Sequence, residues 1–233
     1  MHNSRGSKAL SIAAITGALV LFVGTYLHPM SADPNQPLAA FTEYSANHYW
    51  ITSHLLQLLG VILMVAALIL LSQKLAEGPA HTAAIFGAVG AASSLALAGA
   101  LQAVDGVALK AMVNAWAAAP ERDQQMLFHA AFAVRQIEIG LASIFSLLSG
   151  LTFLIYGVAL LIDARFPKWL GVLALAGGVP TAIAGIVIAY TGFSGLEMAI
   201  GMPANSLLLV WMIALGFYVW TMRFDSEVHT NHS

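Results

Sequence analysis

From Ile139 to Ile162 the chain carries no charged residue. As a helix at 1.5 Å per residue, a run of about 20 such residues crosses the roughly 30 Å hydrocarbon core of a bilayer. Arg135 and Glu138 stand immediately before this run. Ionisable groups at the edge of a span are costly there. They face protein rather than lipid, and they mark sites by default.

The whole chain repeats the pattern. Only 9% of its 233 residues are charged and its mean hydropathy is +0.81, whereas a soluble domain has about 25% charged residues. Six apolar runs are long enough to span, at about 8–28, 48–75, 80–106, 136–163, 167–190 and 203–222. The expected architecture is all-α: a single membrane domain over 1–233, built as a six-helix bundle in contact with the lipid bilayer. The first run exceeds the roughly 7–15 residues of a signal-peptide core and reads as a span. A net charge of −2 gives no basic field for nucleic acid. The absence of cysteine removes disulfides, thiolate metal sites and cysteine nucleophiles.

Prolines punctuate the map. Pro29, Pro79, Pro120, Pro167 and Pro203 fall at expected boundaries, where a missing N–H costs little. Pro180, after Gly177 and Gly178, predicts a kink inside the fifth span. Asn47 is an expected N-cap for the second. The third and fourth runs extend to about 40 and 44 residues, roughly 60 Å each as helices. The excess predicts a helical hairpin over 106–135 that turns at Ala119-Pro120 and projects from the bundle. In the 29–47 loop, Leu38, Phe41 and Tyr44 suit a short amphipathic turn at the interface. Trp50, Trp169, Trp211 and Trp220 near span ends read as interface anchors.

Lys and Arg set the orientation. Arg5, Lys8, Lys74, Arg165, Lys168 and Arg223 fall on one side, and Lys110 and Arg122 on the other. The positive-inside rule then makes this a multi-pass cell-membrane protein with both termini cytoplasmic and the hairpin outside.

Counting up from the cytoplasmic ends brings three polar pairs to one level near the outer leaflet. They are His54/Gln57, Gln102/Asp105 and Arg135/Glu138, each spaced i, i+3 and so on one helical face. His28 ends the first span at a similar level, and His48 starts the second slightly farther out. The expected site is an outward-facing polar pocket for a small molecule or ion, lined by these six residues. In a binding or transport role, Arg135 holds an anionic group while Asp105 or Glu138 exchanges protons with His54.

A second reading is a metal- or haem-binding redox enzyme, with ligands drawn from His54, Asp105, Glu138, His28 and His48. No H-x-x-x-H or E-x-x-H spacing supports it. A third is an accessory subunit or homo-oligomer that docks through the hairpin. The bland alternative is a closed polar network that only fixes helix register, with Arg135 paired to Glu138. Ser53 is next to His54 in sequence but not on its face, and no nucleophile motif is present. Gly87, Ala91, Ser94 and Ala98 form a small-residue stripe suited to close helix packing.

The segment Arg165-Phe166-Pro167-Lys168-Trp169-Leu170-Gly171-Val172-Leu173, followed by Gly177-Gly178, resembles the DUF4386-type family of prokaryotic integral membrane proteins, mainly over 155–190. The resemblance implies a similar length and multi-span layout. It brings no activity.

Overall fold

The computed structural model describes the backbone of residues 2–230 and the side chains of residues 5–222. The side chains of His2, Arg223 and His229, and the whole of His232, lie outside the described residues. The elements are α1 (His2–Tyr26), α2 (Pro37–Ala46), α3 (Trp50–Ala76), α4 (His81–Gln102), a π-helical segment (Ala103–Leu109), α5 (Lys110–Ala117), α6 (Glu121–Ile162), α7 (Lys168–Thr191) and α8 (Gly195–Thr230). α4, the π segment and α5 follow one another without a break. Six helical stretches are long and apolar enough to cross a membrane.

These six close into a ring in the order α1, α3, α4, α6, α7, α8 and back to α1. Buried apolar area drives soluble helices together, but lipid is as apolar as leucine. Close backbone approach at small residues replaces that drive. A Cβ on Gly17 would lie 2.8 Å from the Met64 amide of α3, and one on Gly216 would lie 3.0 Å from the Ser11 carbonyl of α1. On α6, Gly150 faces the backbone of Gly178 and Ala182 on α7. In the small-residue stripe of α4, Gly87 receives the Tyr156 ring, and neighbouring Gly90 receives the Thr152 side chain.

One half of the ring is filled. Leu10, Leu71, Leu75, Tyr156, Leu160, Leu170, Trp211 and Leu215 are fully buried there. The Tyr156 hydroxyl reaches across from α6 to donate to the Leu68 carbonyl at 2.9 Å, and Ser72 lies 2.7 Å from it. Lys74, Arg165 and Lys168 lie beyond this half. At the α6–α7 turn, Asp163 accepts from the Arg165 backbone and guanidinium, and Arg165 in turn donates to the Lys74 carbonyl at 2.8 Å. Those bonds hold the Asp163 carboxyl below its usual range.

At the other end, α5 and the start of α6 form a hairpin with its turn at 118–120, and α2 packs against it. Phe41, Tyr44, Trp50, Leu109, Val113 and Ala131 make a small separate core between them. Lys110 is buried, and its ammonium donates to the carbonyls of Tyr44, Ser45 and Asn47, at the end of α2.

Several expectations change. Phe41 and Tyr44 are not interface anchors, because the hairpin gives them a protein surface to cover; Leu38 alone of that trio stays exposed. Trp50 and Trp211 are fully buried, with their indole N–H groups on the carbonyls of Asp105 and Leu170. Asn47 does not cap α3, whose N-cap is Tyr49. α8 starts at Gly195 rather than at Pro203, which lies inside it. Membrane helices tolerate such a proline because neighbouring groups satisfy the freed carbonyl.

The α6–α7 contact has no slack at Gly150. Gly150→Val is expected to lower the thermal unfolding midpoint, by an overpacking cost of about 1–3 kcal/mol. Gly99→Ala is the control, since its methyl meets nothing within 4 Å.

Candidate functional site

Trp50 opens the first turn of α3 and organises what surrounds it. Its carbonyl accepts from His54 Nδ1 at 2.7 Å, one turn on, and from the Ser53 hydroxyl at 2.7 Å. Ser53 and His54 therefore do meet, at 3.2 Å, because both reach back to one carbonyl. The Trp50 indole donates to the backbone of Asp105 at 3.1 Å. One residue thus orients the histidine through its carbonyl and holds the segment carrying the carboxylate through its indole.

Asp105 sits in the π-helical stretch, where the i→i+5 pattern widens the helix and re-aims its side chains. Such segments are frequent at functional sites. Gly106 lets this stretch lie directly against α3: a Cβ there would be 2.6 Å from His54 Cβ. As a result His54 Nε2 lies 3.0 Å from Asp105 Oδ2.

The end of α1 supplies a third group. Gly24 presses on α3 so closely that a Cβ would sit 2.8 Å from the Gln57 amide. His28 follows four residues later, with its ring centroid 5.0 Å from those of both Trp50 and His54. Its Nδ1 lies 2.8 Å from the Pro29 carbonyl. A carbonyl can only accept, so Nδ1 carries the proton that each imidazole gives to the backbone, and one further proton lies between His54 Nε2 and Asp105 Oδ2. His28, His54 and Asp105 each present a ligand atom within 4.8 Å of the others. The second carboxylate oxygen, Asp105 Oδ1, is buried and has no hydrogen-bond partner.

The remaining polar residues pair off. Gln102 donates to Gln57 at 3.2 Å, one rung from the His54–Asp105 contact, and Gln102 Oε1 is buried without a partner. Arg135 and Glu138, 5% and 2% exposed, are turned inward and joined to each other at 2.5 Å. The Arg135 guanidinium also lies over the rings of Tyr44 and Phe193, at 5.6 and 5.0 Å. The Tyr44 ring meets Trp50 at 4.3 Å and so connects the two clusters. Burial pushes its phenol up to about 12; the nearby Glu138 and Asp105 carboxylates act in the same direction, and Arg135 opposes them.

The structure therefore joins His54 with Asp105 and Gln57 with Gln102 across α3 and α4, and adds His28 from α1. It leaves Glu138 on Arg135, outside the three-residue group, because the guanidinium is its nearer charge. His48 is exposed, and it too is outside the group, since the chain turns away before α3 begins. His54 Nε2 has the Asp105 carboxylate against it at 3.0 Å. Sequence reasoning missed the roles of Trp50 and Gly106. The signals available were an aromatic residue four before His54 and a glycine adjoining Asp105.

Gly106→Ala is expected to displace His54 from Asp105. The unfolding midpoint should fall and the ¹⁵N shifts of the His54 ring should change, whereas Gly99→Ala should leave both nearly unaltered.

No curated protein and no solved structure matches the chain. A family model described as a domain of unknown function, DUF4386, matches residues 9–218. That match covers all six long helices in whole or in large part, so the chain belongs to the DUF4386 family.

Proposed function

We propose that this multi-pass membrane protein binds a divalent first-row transition-metal ion through His28, His54 and Asp105. The observation that carries the reading is the state of the donor atoms. Both imidazoles have Nδ1–H tied to a backbone carbonyl, which fixes the tautomer and ring orientation as in established histidine–metal sites. The carboxylate next to them keeps a buried oxygen that nothing in the protein satisfies. A tetrahedral ion with bonds of about 2.0–2.1 Å spaces its ligands roughly 3.3 Å apart. The 3.0 Å between His54 Nε2 and Asp105 Oδ2 is already close to that.

Two imidazoles and one carboxylate suit zinc or iron(II). Three protein ligands leave a coordination position open. An ion held this way acts as a Lewis acid toward an oxygen-bearing ligand. Gln57 and Gln102 border the site as hydrogen-bonding groups, and the Arg135–Glu138 ion pair lies beyond Tyr44 and Trp50. The aromatic face of the hairpin is covered by Phe41 of α2.

Arg5, Lys8, Lys74, Arg165 and Lys168 lie toward the end opposite the hairpin, which makes that end cytoplasmic by the positive-inside rule. Burial of Lys110 as the tie on α2 takes it out of the opposing loop charge. The metal site then lies near the outer face.

Two measurements test this. Purified protein equilibrated with zinc should hold one ion per chain by elemental analysis. His54→Ala and Asp105→Ala should weaken binding at least about a hundredfold, the upper range for loss of a supporting residue alone. His48→Ala should bind as the parent does. Full retention of zinc by His54→Ala would exclude the site. For orientation, the cysteine-free sequence allows single labels: Ala118→Cys should react with an impermeant maleimide in intact cells, and Glu77→Cys only after lysis.

A further inference from the structure

The half of the ring nearest the hairpin is hollow. A cavity of about 640 Å³ lies between α1, α3, α4, α6 and α8, within the roughly 300–1,000 Å³ range of small-molecule sites. Its floor is apolar, formed by Met64, Leu68, Phe153 and Leu208 above the filled half. Polar groups enter the wall as Gln57, Gln102 and His28 at the hairpin end and as Ser149, Thr152 and Asn205 on α6 and α8. Two wall atoms, Gln102 Oε1 and Ser94 Oγ, are buried and have no partner.

Part of the cavity wall between α1 and α8 is exposed. α1 and α8 touch at Gly216 against Ser11 and Ile15, in the filled half. Toward the hairpin the wall between them is Phe22, Tyr26 and Met202, which are 58%, 81% and 51% exposed. Exposed apolar side chains on spanning helices border lipid. Such a wall admits an apolar molecule from the bilayer.

His28 belongs to both the cavity wall and the metal group. A divalent ion neutralised only by Asp105 carries a net charge of about +1, since both imidazoles are neutral. The complementary ligand is an anion with an apolar tail. We propose that the cavity binds a long-chain carboxylate. Its chain lies along the apolar floor, and its head oxygen fills the open position of the ion at His28, His54 and Asp105. The inference rests on the metal reading above.

The test uses the full chain in lipid nanodiscs loaded with cobalt(II), whose visible bands report coordination. Hexadecanoate should shift the bands in a saturable way. Acetate should need at least a roughly hundredfold higher concentration, because it lacks the methylenes that gain from burial. Hexadecanol should leave the spectrum unmoved. Ala98→Phe, which fills the cavity one turn below Gln102, should abolish the hexadecanoate response while keeping the cobalt bands and the acetate response.

Absence of any cobalt band in the parent protein would remove the metal reading and this inference with it. Normal bands that hexadecanoate leaves unmoved, or that acetate shifts at the same concentration, would remove this inference alone. A normal hexadecanoate response in Ala98→Phe would also overturn it.

Discussion

A membrane interior offers no water, so every polar group must find its partner within the protein. That constraint orders this molecule from backbone to side chain. It makes the spans helical. It sends the indoles of Trp50 and Trp211 and the hydroxyl of Tyr156 to carbonyls on neighbouring helices. It pairs His54 with Asp105, Gln57 with Gln102 and Arg135 with Glu138. The buried side-chain atoms left unsatisfied among the described residues belong to Ser94, Gln102, Asp105 and Arg135. Ser94 and Gln102 line the cavity, Asp105 belongs to the proposed metal group, and Arg135 is linked to it through Tyr44.

Glycine has a comparable role in packing. Gly24 and Gly106 bring α1 and the π-helical stretch against α3 from two sides, so that His28 and Asp105 meet His54. Gly150 and Gly178 fasten α6 to α7. The filled and hollow halves of the ring follow from side-chain size. Tyr156, Phe153 and Trp211 occupy the ring near the basic end, while Ala91, Ser94 and Ala98 leave space on α4 nearer the hairpin. The same small-residue stripe thus serves packing at Gly87 and leaves the cavity at Ser94 and Ala98.

Much of this was legible in the sequence. Charge-free runs, prolines and the excess length of the third and fourth runs gave the helices and the hairpin. The i, i+3 spacing of three polar pairs, together with depth counting, gave their common level. The Arg135–Glu138 pair was legible too, since i, i+3 spacing puts both on one face of α6. That Asp105 takes His54 rather than Gln102 was not, because helix rotation and the π turn decide it. Trp50 near a span end reads as an interface anchor by composition, and only the covering by α2 and the hairpin makes it core.

By itself the sequence determined six apolar runs long enough to cross a membrane as helices, because runs of that length satisfy their own backbone in lipid by coiling. It also determined which side chains are too costly to face lipid. Tertiary structure decided that His28 joins His54 and Asp105 while Glu138 does not, and that half of the ring stays open. Those outcomes depend on how closely two backbones approach at Gly24 and Gly106, a distance that belongs to pairs of helices and is written in neither one alone.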